Sequence, residues 1–367
     1  MKVFFISNGI WEFDGRLREL IKVASGLGDV KYITRVKSSN LQTNKNHIKI
    51  KGNNYFKFIL KTLSSVRLYE DIDIIFVDNR KAIIPALLIQ LYYKHRKIIL
   101  DVRELYLSNE VKHITGKIGC FFEKIMIKKA DIVICANKYR ANVMKEYYKL
   151  NDIPLVYENI RQINYNENTD LEKLRLKYEH IFSNKTTRII STSGYSVSRT
   201  NDKLVEAMIE LGSDFELLLV GSGTKDDKII IENIIHKNNL NNIHLIEMVN
   251  EDELKYLISH SHIGIVNYHQ KDLNNKFCAS GKIYEFIFEG LPVVTTENKP
   301  LVDFCADFGV GCTDNSYIEG IREINSNYVY YKKQVDYIRN NFDIEKNNLD
   351  LKNHIMDKLS TLKREQQ

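Results

Sequence analysis

At 367 residues the chain is long enough for two domains of ordinary size, each with its own core. A composition of 44% hydrophobic and 27% charged residues is that of a globular protein in water; no run of eighteen apolar residues occurs, and residues 1–7 are too short an apolar run for a signal peptide. A cytoplasmic protein is therefore expected, and its net charge of +6 suits nucleic acid, an anionic membrane surface or a phosphorylated ligand without selecting among them.

Short β-branched runs recur at 3–6, 30–33, 74–77, 98–101, 131–135 and 155–157. A second series follows at 188–192, 216–220, 243–246, 263–267, 292–295 and 309–312, with helix-like stretches between. Strands alternating with helices predict parallel sheets covered on both faces. Two such series predict an α/β chain of two doubly wound domains, with ligands at the carboxyl ends of the strands. The polar stretch 161–170 is the candidate linker, which divides the chain into domains at 1–163 and 164–327. A charged helical tail, 328–367, carries Val335, Ile338 and Phe342 on one apolar face and is expected to pack back toward the first domain. Five cysteines (Cys120, Cys135, Cys278, Cys305, Cys312) include no C-x-x-C pair and read as buried thiols in a reducing compartment.

The richest stretch in chemistry runs from Phe277 to Thr296. It reads as a loop, a helix opening near Ser280 and Gly281, a stop at Gly290 and a strand headed by Pro292. A helix N-terminus leaves backbone N–H groups unpaired and carries partial positive charge, so it holds phosphate well. Lys282 adds a full charge at that end. Glu285 follows one turn later, where a carboxylate can grip a pair of sugar hydroxyls. The same pattern suits an ordinary amphipathic helix feeding a buried strand. Gly15, Gly221 and Gly223 remove side chains where loops could pass close to a ligand, or simply make tight turns. A nicotinamide site would need three glycines opening a helix and an acid about 20 residues later; Lys225-Asp-Asp-Lys228 follows instead. Arg199, just before a helix, is either a diphosphate-pairing fork or a solvated surface arginine that the helix dipole slightly disfavours.

Three other patterns point elsewhere. Asp71-Ile-Asp73 has metal-binding spacing but opens a strand, where acids are usually solvated. His260, His262 and His269 lack a complementary Cys/His set for zinc. Residues 54–67 are basic and amphipathic; one face could pack on a sheet while Lys57, Lys61 and Arg67 meet anionic headgroups.

Taken together, four segments resemble the retaining glycosyltransferases of the GT-B fold, of the family 4 type that handles capsule, lipopolysaccharide and teichoic-acid sugars. They are residues 8–18, Leu100-Asp-Val-Arg-Glu-Leu-Tyr106, Leu219-Val-Gly-Ser-Gly223 and Ala279-Ser-Gly-Lys-Ile-Tyr-Glu-Phe286, and the likeness spans nearly the whole chain. The resemblance implies two Rossmann-like domains facing a central cleft, with the nucleotide sugar held mainly by the second. It implies phosphate contacts from Arg199, Lys282 and the Ser280–Gly281 amides, and ribose contacts from Glu285. Base contacts would come from backbone near Met248 and Val249, with Gly15 and Gly221 lining the donor. Arg103 and Glu104, on the acceptor side with Gly15, are the implied catalytic candidates. The donor would be UDP- or GDP-linked, and fixed cations would replace a metal ion, so neither cofactor nor metal is expected. The acceptor would be a glycan or a lipid-linked molecule, with an anionic membrane surface as a further partner and no nucleic acid. Three positions depart from the family pattern: Tyr195 where a second basic residue often stands, Phe277 where a first glutamate would be, and Arg103 in place of a histidine. Those departures keep two alternatives open, a nucleotide-sugar epimerase of the same fold and a catalytically silent partner subunit.

Overall fold

A computed structural model describes residues 1–37, 44–69, 71–182 and 184–364. The chain forms two compact units, Met1–Asn159 together with the C-terminal segment from Ile344, and Ile160–Asp343.

The first unit opens with β1 (Lys2–Ile10), α1 (Gly15–Leu27), β2 (Asp29–Val36) and β3 (His47–Lys51). It continues with α2 (Tyr55–Val66), β4 (Ile74–Asp78), α3 (Ile83–Tyr92) and β5 (Lys97–Val102). The last elements before the junction are α4 (Ile114–Lys129), β6 (Ile132–Cys135), α5 (Lys138–Tyr148) and β7 (Leu155–Val156). All seven strands are parallel, in the order β3-β2-β1-β4-β5-β6-β7. Every residue of β4 is buried, as a strand covered on both faces requires, whereas the edge strand β3 alternates apolar residues with His47, Lys49 and Lys51. Register aligns Ser7 with Asp78, and Asp78 with Asp101, so three polar side chains stand abreast at the carboxyl ends of the central strands. The C-terminal helix Ile344–Arg364 closes this unit's core, placing Leu351, Ile355 and Leu359 against Leu17, Leu20 and Ala24 of α1. Asn348 adds polar anchors, donating to Glu19 at 2.7 Å and accepting from the Tyr157 hydroxyl at 2.6 Å.

The second unit begins with α6 (Leu171–Phe182), β8 (Thr187–Ser191), α7 (Asn201–Leu211), β9 (Phe215–Val220) and α8 (Lys225–Lys237). Next come β10 (Ile243–Ile246), α9 (Glu251–Ser259), β11 (Ile263–Val266), the short α10 (Leu273–Lys276) and α11 (Gly281–Phe288). It ends with β12 (Val293–Thr295), α12 (Lys299–Phe308), β13 (Gly311–Thr313), α13 (Ile318–Ser326) and α14 (Tyr328–Ile338). Its six strands are parallel in the order β10-β9-β8-β11-β12-β13. Helix α11 buries Ile283, Tyr284, Phe286 and Ile287 in the unit's core and ends at Glu289, before Gly290 with φ of +78°. Val335 and Ile338 of α14 are buried in this same core, with Phe342 packed against it.

Candidate functional site

The residues that sequence reasoning singled out in the second unit lie past the carboxyl ends of its parallel strands. Ser280 caps α11 through its backbone only: its hydroxyl is buried and has no hydrogen-bond partner. Gly281 is the first helical residue, which leaves the opening N–H groups of α11 without a side-chain cap. Half-buried Lys282 donates to the Thr192 carbonyl at 2.6 Å, and no carboxylate among the described residues comes within ion-pair distance of it. Burial lowers its pKa to about 8; Glu285 pulls it up, and the Arg199 and Arg161 guanidiniums push it down. Lys282, Arg199 and Arg161 thus stand against two carboxylates, Glu285 and Glu251, so the helix end keeps an excess of positive charge. Glu285 is buried and receives Arg161 Nε at 3.0 Å, while Arg161 also lies 3.5 Å from Glu251.

Arg199 ends a turn of 3-10 helix, Val197–Arg199, and stacks its guanidinium on the Tyr268 ring at 4.0 Å. Its Nη1 is buried with no hydrogen-bond partner among the described residues. A buried donor without a partner costs about 1–3 kcal/mol, so Arg199 Nη1 and the Ser280 hydroxyl, each in a loop past the carboxyl ends of the strands, call for a ligand with acceptors. The loop that carries Arg199 is held firmly. Asn201 donates to Ser193 Oγ and the Gly194 carbonyl at 2.9 and 2.8 Å, and accepts from Asn267 at 2.8 Å. Thr200 has φ of +59°, an unfavourable region for a β-branched residue, and its hydroxyl is tied to the buried Tyr317 hydroxyl at 2.5 Å.

Gly221 has φ of +124°, and a side chain there would meet the Gly194 backbone at 3.2 Å; Gly194 in turn, at φ of +64°, faces the Ser222 carbonyl. The loops after β8 and β9 therefore pack backbone to backbone, which explains this Gly pair without a ligand. The Gly221 N–H donates to the Ile246 carbonyl at 2.9 Å, so the strand leading to Met248 and Val249 runs alongside. Met248 is exposed, and Val249 packs on the unit's core.

In the first unit the sequence placed Gly15 in a loop; it is instead the first helical residue of α1, whose N-cap Asp14 accepts from the Leu17 amide at 3.0 Å. Arg103 and Glu104 line a cavity of about 370 Å³ with Asp14 and Asp78. The Arg103 fork is fully engaged, with Nε and Nη2 on Asp78 at 2.6 and 2.7 Å and Nη1 on Asp14 at 2.5 Å. Behind it Arg16 holds Asp101 through two hydrogen bonds, at 3.0 and 2.6 Å. Burial pushes Asp78 up to about 6 against the pull of Arg103, with Asp101 and Asp14 adding to the rise. Glu104 is exposed beside this network.

Among the described residues, no group of three or more His, Cys, Asp or Glu side chains is placed to hold a metal ion. Asp73 accepts from the Lys2 amide at 2.7 Å and Asp71 is solvated, while His262 Nδ1 accepts from the Arg188 amide at 2.9 Å. Helix α2 buries Phe58, Thr62 and Ser65 and exposes Lys57, Lys61 and Arg67 with Phe56 and Leu60. No helix among the described residues is long and apolar enough to cross a membrane.

Sequence reasoning missed Tyr268, Arg161, Thr192 and Asn201. Thr192 is the last residue of a predicted strand and Tyr268 follows directly on another, positions that carry ligand contacts in doubly wound sheets. Arg161 was inside the predicted linker and carried no local signal.

No protein-family model matches this sequence, and no curated protein matches it either. Solved structures do. Anabaena HepE, in complex with UDP and glucose, aligns over 97% of this chain and all of its own with a TM-score of 0.73 at 12% identity. Sucrose-phosphate synthase from Thermosynechococcus elongatus aligns over 98% and 99% at 0.71 and 15%. A glycosyltransferase from Rickettsia africae aligns over 97% and 98% at 0.70 and 19%. The fold is GT-B: two Rossmann-like α/β domains, as the strand order of each unit already indicates.

Proposed function

We propose that this protein is a glycosyltransferase of the family 4 type, moving a hexose-type sugar from a UDP- or GDP-linked donor to a cell-surface glycan or lipid-linked acceptor. The observation that carries the reading is a pair of buried polar groups without partners among the described residues, Ser280 Oγ at the start of α11 and Arg199 Nη1 in the loop after β8, beside Lys282, whose ammonium donates to Thr192 and has no carboxylate partner there. Arg199 and Lys282 pair the diphosphate oxygens, the Gly281 end of α11 presents backbone N–H groups, and Ser280 supplies a hydroxyl. Glu285, oriented by Arg161, meets the ribose hydroxyls. As the bond between sugar and phosphate breaks, negative charge grows on the leaving nucleoside diphosphate. Cations fixed in place stabilise that charge without reorganising, so we assign no role to a metal ion. The acceptor oxygen attacks from the face the leaving group vacates, its proton passing to the departing phosphate oxygen, with retention at the sugar.

Support for a nucleotide-sugar donor also comes from the HepE likeness, since that protein was captured with UDP and glucose and with UDP-glucose. We further assign the exposed rim of α2, with Lys57, Lys61 and Arg67 among Phe56 and Leu60, to peripheral contact with an anionic membrane, which co-sedimentation with vesicles checks. The direct test incubates the protein with a panel of UDP- and GDP-sugars in EDTA and follows nucleotide release. Turnover of one donor in EDTA supports the reading. Turnover only with added manganese overturns its metal-free form, and release of an epimerised nucleotide sugar overturns the transferase assignment.

A further inference from the structure

Two neighbouring cavities of the first unit differ in charge. The one at Arg103 is rich in carboxylates; the next, of about 720 Å³, meets none. Arg35, Arg80 and Lys81 line this second groove, Arg80 and Lys81 standing between it and the first cavity, and Ile84, Ile118 and Phe122 make its apolar wall. Arg80 is neutralised by Glu123, with Nε and Nη2 on its two oxygens at 2.9 and 2.8 Å. Among the described residues Arg35 spends only Nε, on the Gly52 carbonyl at 2.9 Å, and neither it nor Lys81 has a carboxylate partner. The groove thus holds two cations without an ion-pair partner among the described residues, at the carboxyl ends of β2 and β4, and the first turns of α2 and α4 line it with the same sign of dipole.

Such a site takes an anion, but a bare anion leaves the apolar wall without purpose. That wall continues outward. Ile118 is 49% exposed, and Ile114 and Phe121 on the same helix are 75% and 62% exposed. Phe56 and Leu60 on α2 are 67% and 52% exposed, and α3 packs between these two helices. Exposed Lys57, Lys61, Lys117 and Lys124 are interleaved with them. A sugar phosphate has nothing to set against this surface, whereas a hydrocarbon chain does.

We propose that the groove binds an amphipathic lipid phosphate, its phosphate between Arg35 and Lys81 and its chain leaving along Ile118 and Phe122 toward the exposed Phe121. Its use as the sugar acceptor rests on the glycosyl-transfer reading; the binding itself does not. The test titrates the full-length protein with farnesyl phosphate below its micellar concentration. Farnesol, which keeps the chain, and inorganic phosphate, which keeps the head, are the comparison ligands. Farnesyl phosphate should saturate, and both comparison ligands should bind at least tenfold more weakly. Arg35→Gln and Lys81→Gln should each weaken it about tenfold, the effect of losing one charged hydrogen bond, with the melting temperature unchanged. Ile118→Asn should weaken farnesyl phosphate but not inorganic phosphate. Equal binding of phosphate would make this a bare anion site, equal binding of farnesol a nonspecific apolar surface, and unaltered binding by the charge variants a site elsewhere. Each of these outcomes overturns the proposal. UDP and GDP titrated into the same samples report on the second unit, so failure here and failure of the donor reading appear separately.

Discussion

The Arg199 guanidinium carbon lies 4.0 Å from the centre of the Tyr268 ring, and the Nη1 at its edge is buried without a partner. Stacking fixes the plane of the fork while leaving its edge to an incoming acceptor. Arg199→Gln should weaken nucleoside-diphosphate binding by about 1.5–3 kcal/mol, the worth of a charged hydrogen bond. Tyr268→Leu, which keeps the fork but frees its plane, should cost about 0.5–2 kcal/mol. Calorimetry with the cognate nucleotide decides, and unchanged affinity in Arg199→Gln removes it from the donor site.

Lys282 makes the site sensitive to alkali. Its pKa in the folded protein is about 8, below the 10.5 of an ordinary lysine, because burial and neighbouring arginines disfavour its charge. Between those values the unfolded chain holds the extra proton, so this group's contribution to stability rises with pH across that window. Ligand binding has the opposite sign, since a diphosphate requires the ammonium. Donor affinity should be highest below pH 8 and fall above it by up to about tenfold per unit. Lys282→Met should bind more weakly at pH 7 and lose that slope. A parent protein with equal affinity at pH 7 and pH 9 would refute the assignment.

Glu285→Gln should weaken the cognate nucleotide by about 1.5–3 kcal/mol through its lost ribose contact. It also leaves Arg161 with Glu251 alone as an ion-pair partner among the described residues and lowers the Lys282 pKa further, because the Glu285 carboxylate is the one group raising it. The alkaline limb of the binding curve should therefore move to lower pH in this variant. A limb that stays in place would mean that Glu285 and Lys282 are not coupled.

Arg103 should behave as a structural cation. Three carboxylates, Asp14, Asp78 and Asp101, lie within 4 Å of its guanidinium. Arg103→Ala leaves buried acids unpaired and should destabilise the protein by about 3–5 kcal/mol. Nucleotide affinity of the folded fraction should not change. A variant as stable as the parent but inactive in transfer would return Arg103 to a catalytic role.

Strands such as β4 and β9 are legible because burial on both faces demands continuous apolar runs. Strand β3 escaped notice because an edge strand with alternating charges has no such demand. Helix α11 could be placed from Ser280, Gly281 and Gly290, since its start and stop are local chemistry. The Arg161–Glu285 ion pair is not local: it joins a segment that reads as polar linker to a helix far along the chain. Arg103 was visible as an arginine after a strand, but the carboxylates around it depend on the register of three strands and on the cap of α1. Tyr268 could have been suspected from its place after β11, yet only the fold brings it under Arg199.

Donor binding by the second unit turns on Arg199 and Lys282 holding a nucleoside diphosphate. Thermal unfolding of the parent and of an Arg199→Gln/Lys282→Met double variant, each with UDP, GDP, ADP or CMP, tests it most directly. UDP or GDP should raise the melting temperature of the parent, and the double variant should fold but lose the rise. No rise with any nucleotide, or an equal rise in both proteins, would contradict it.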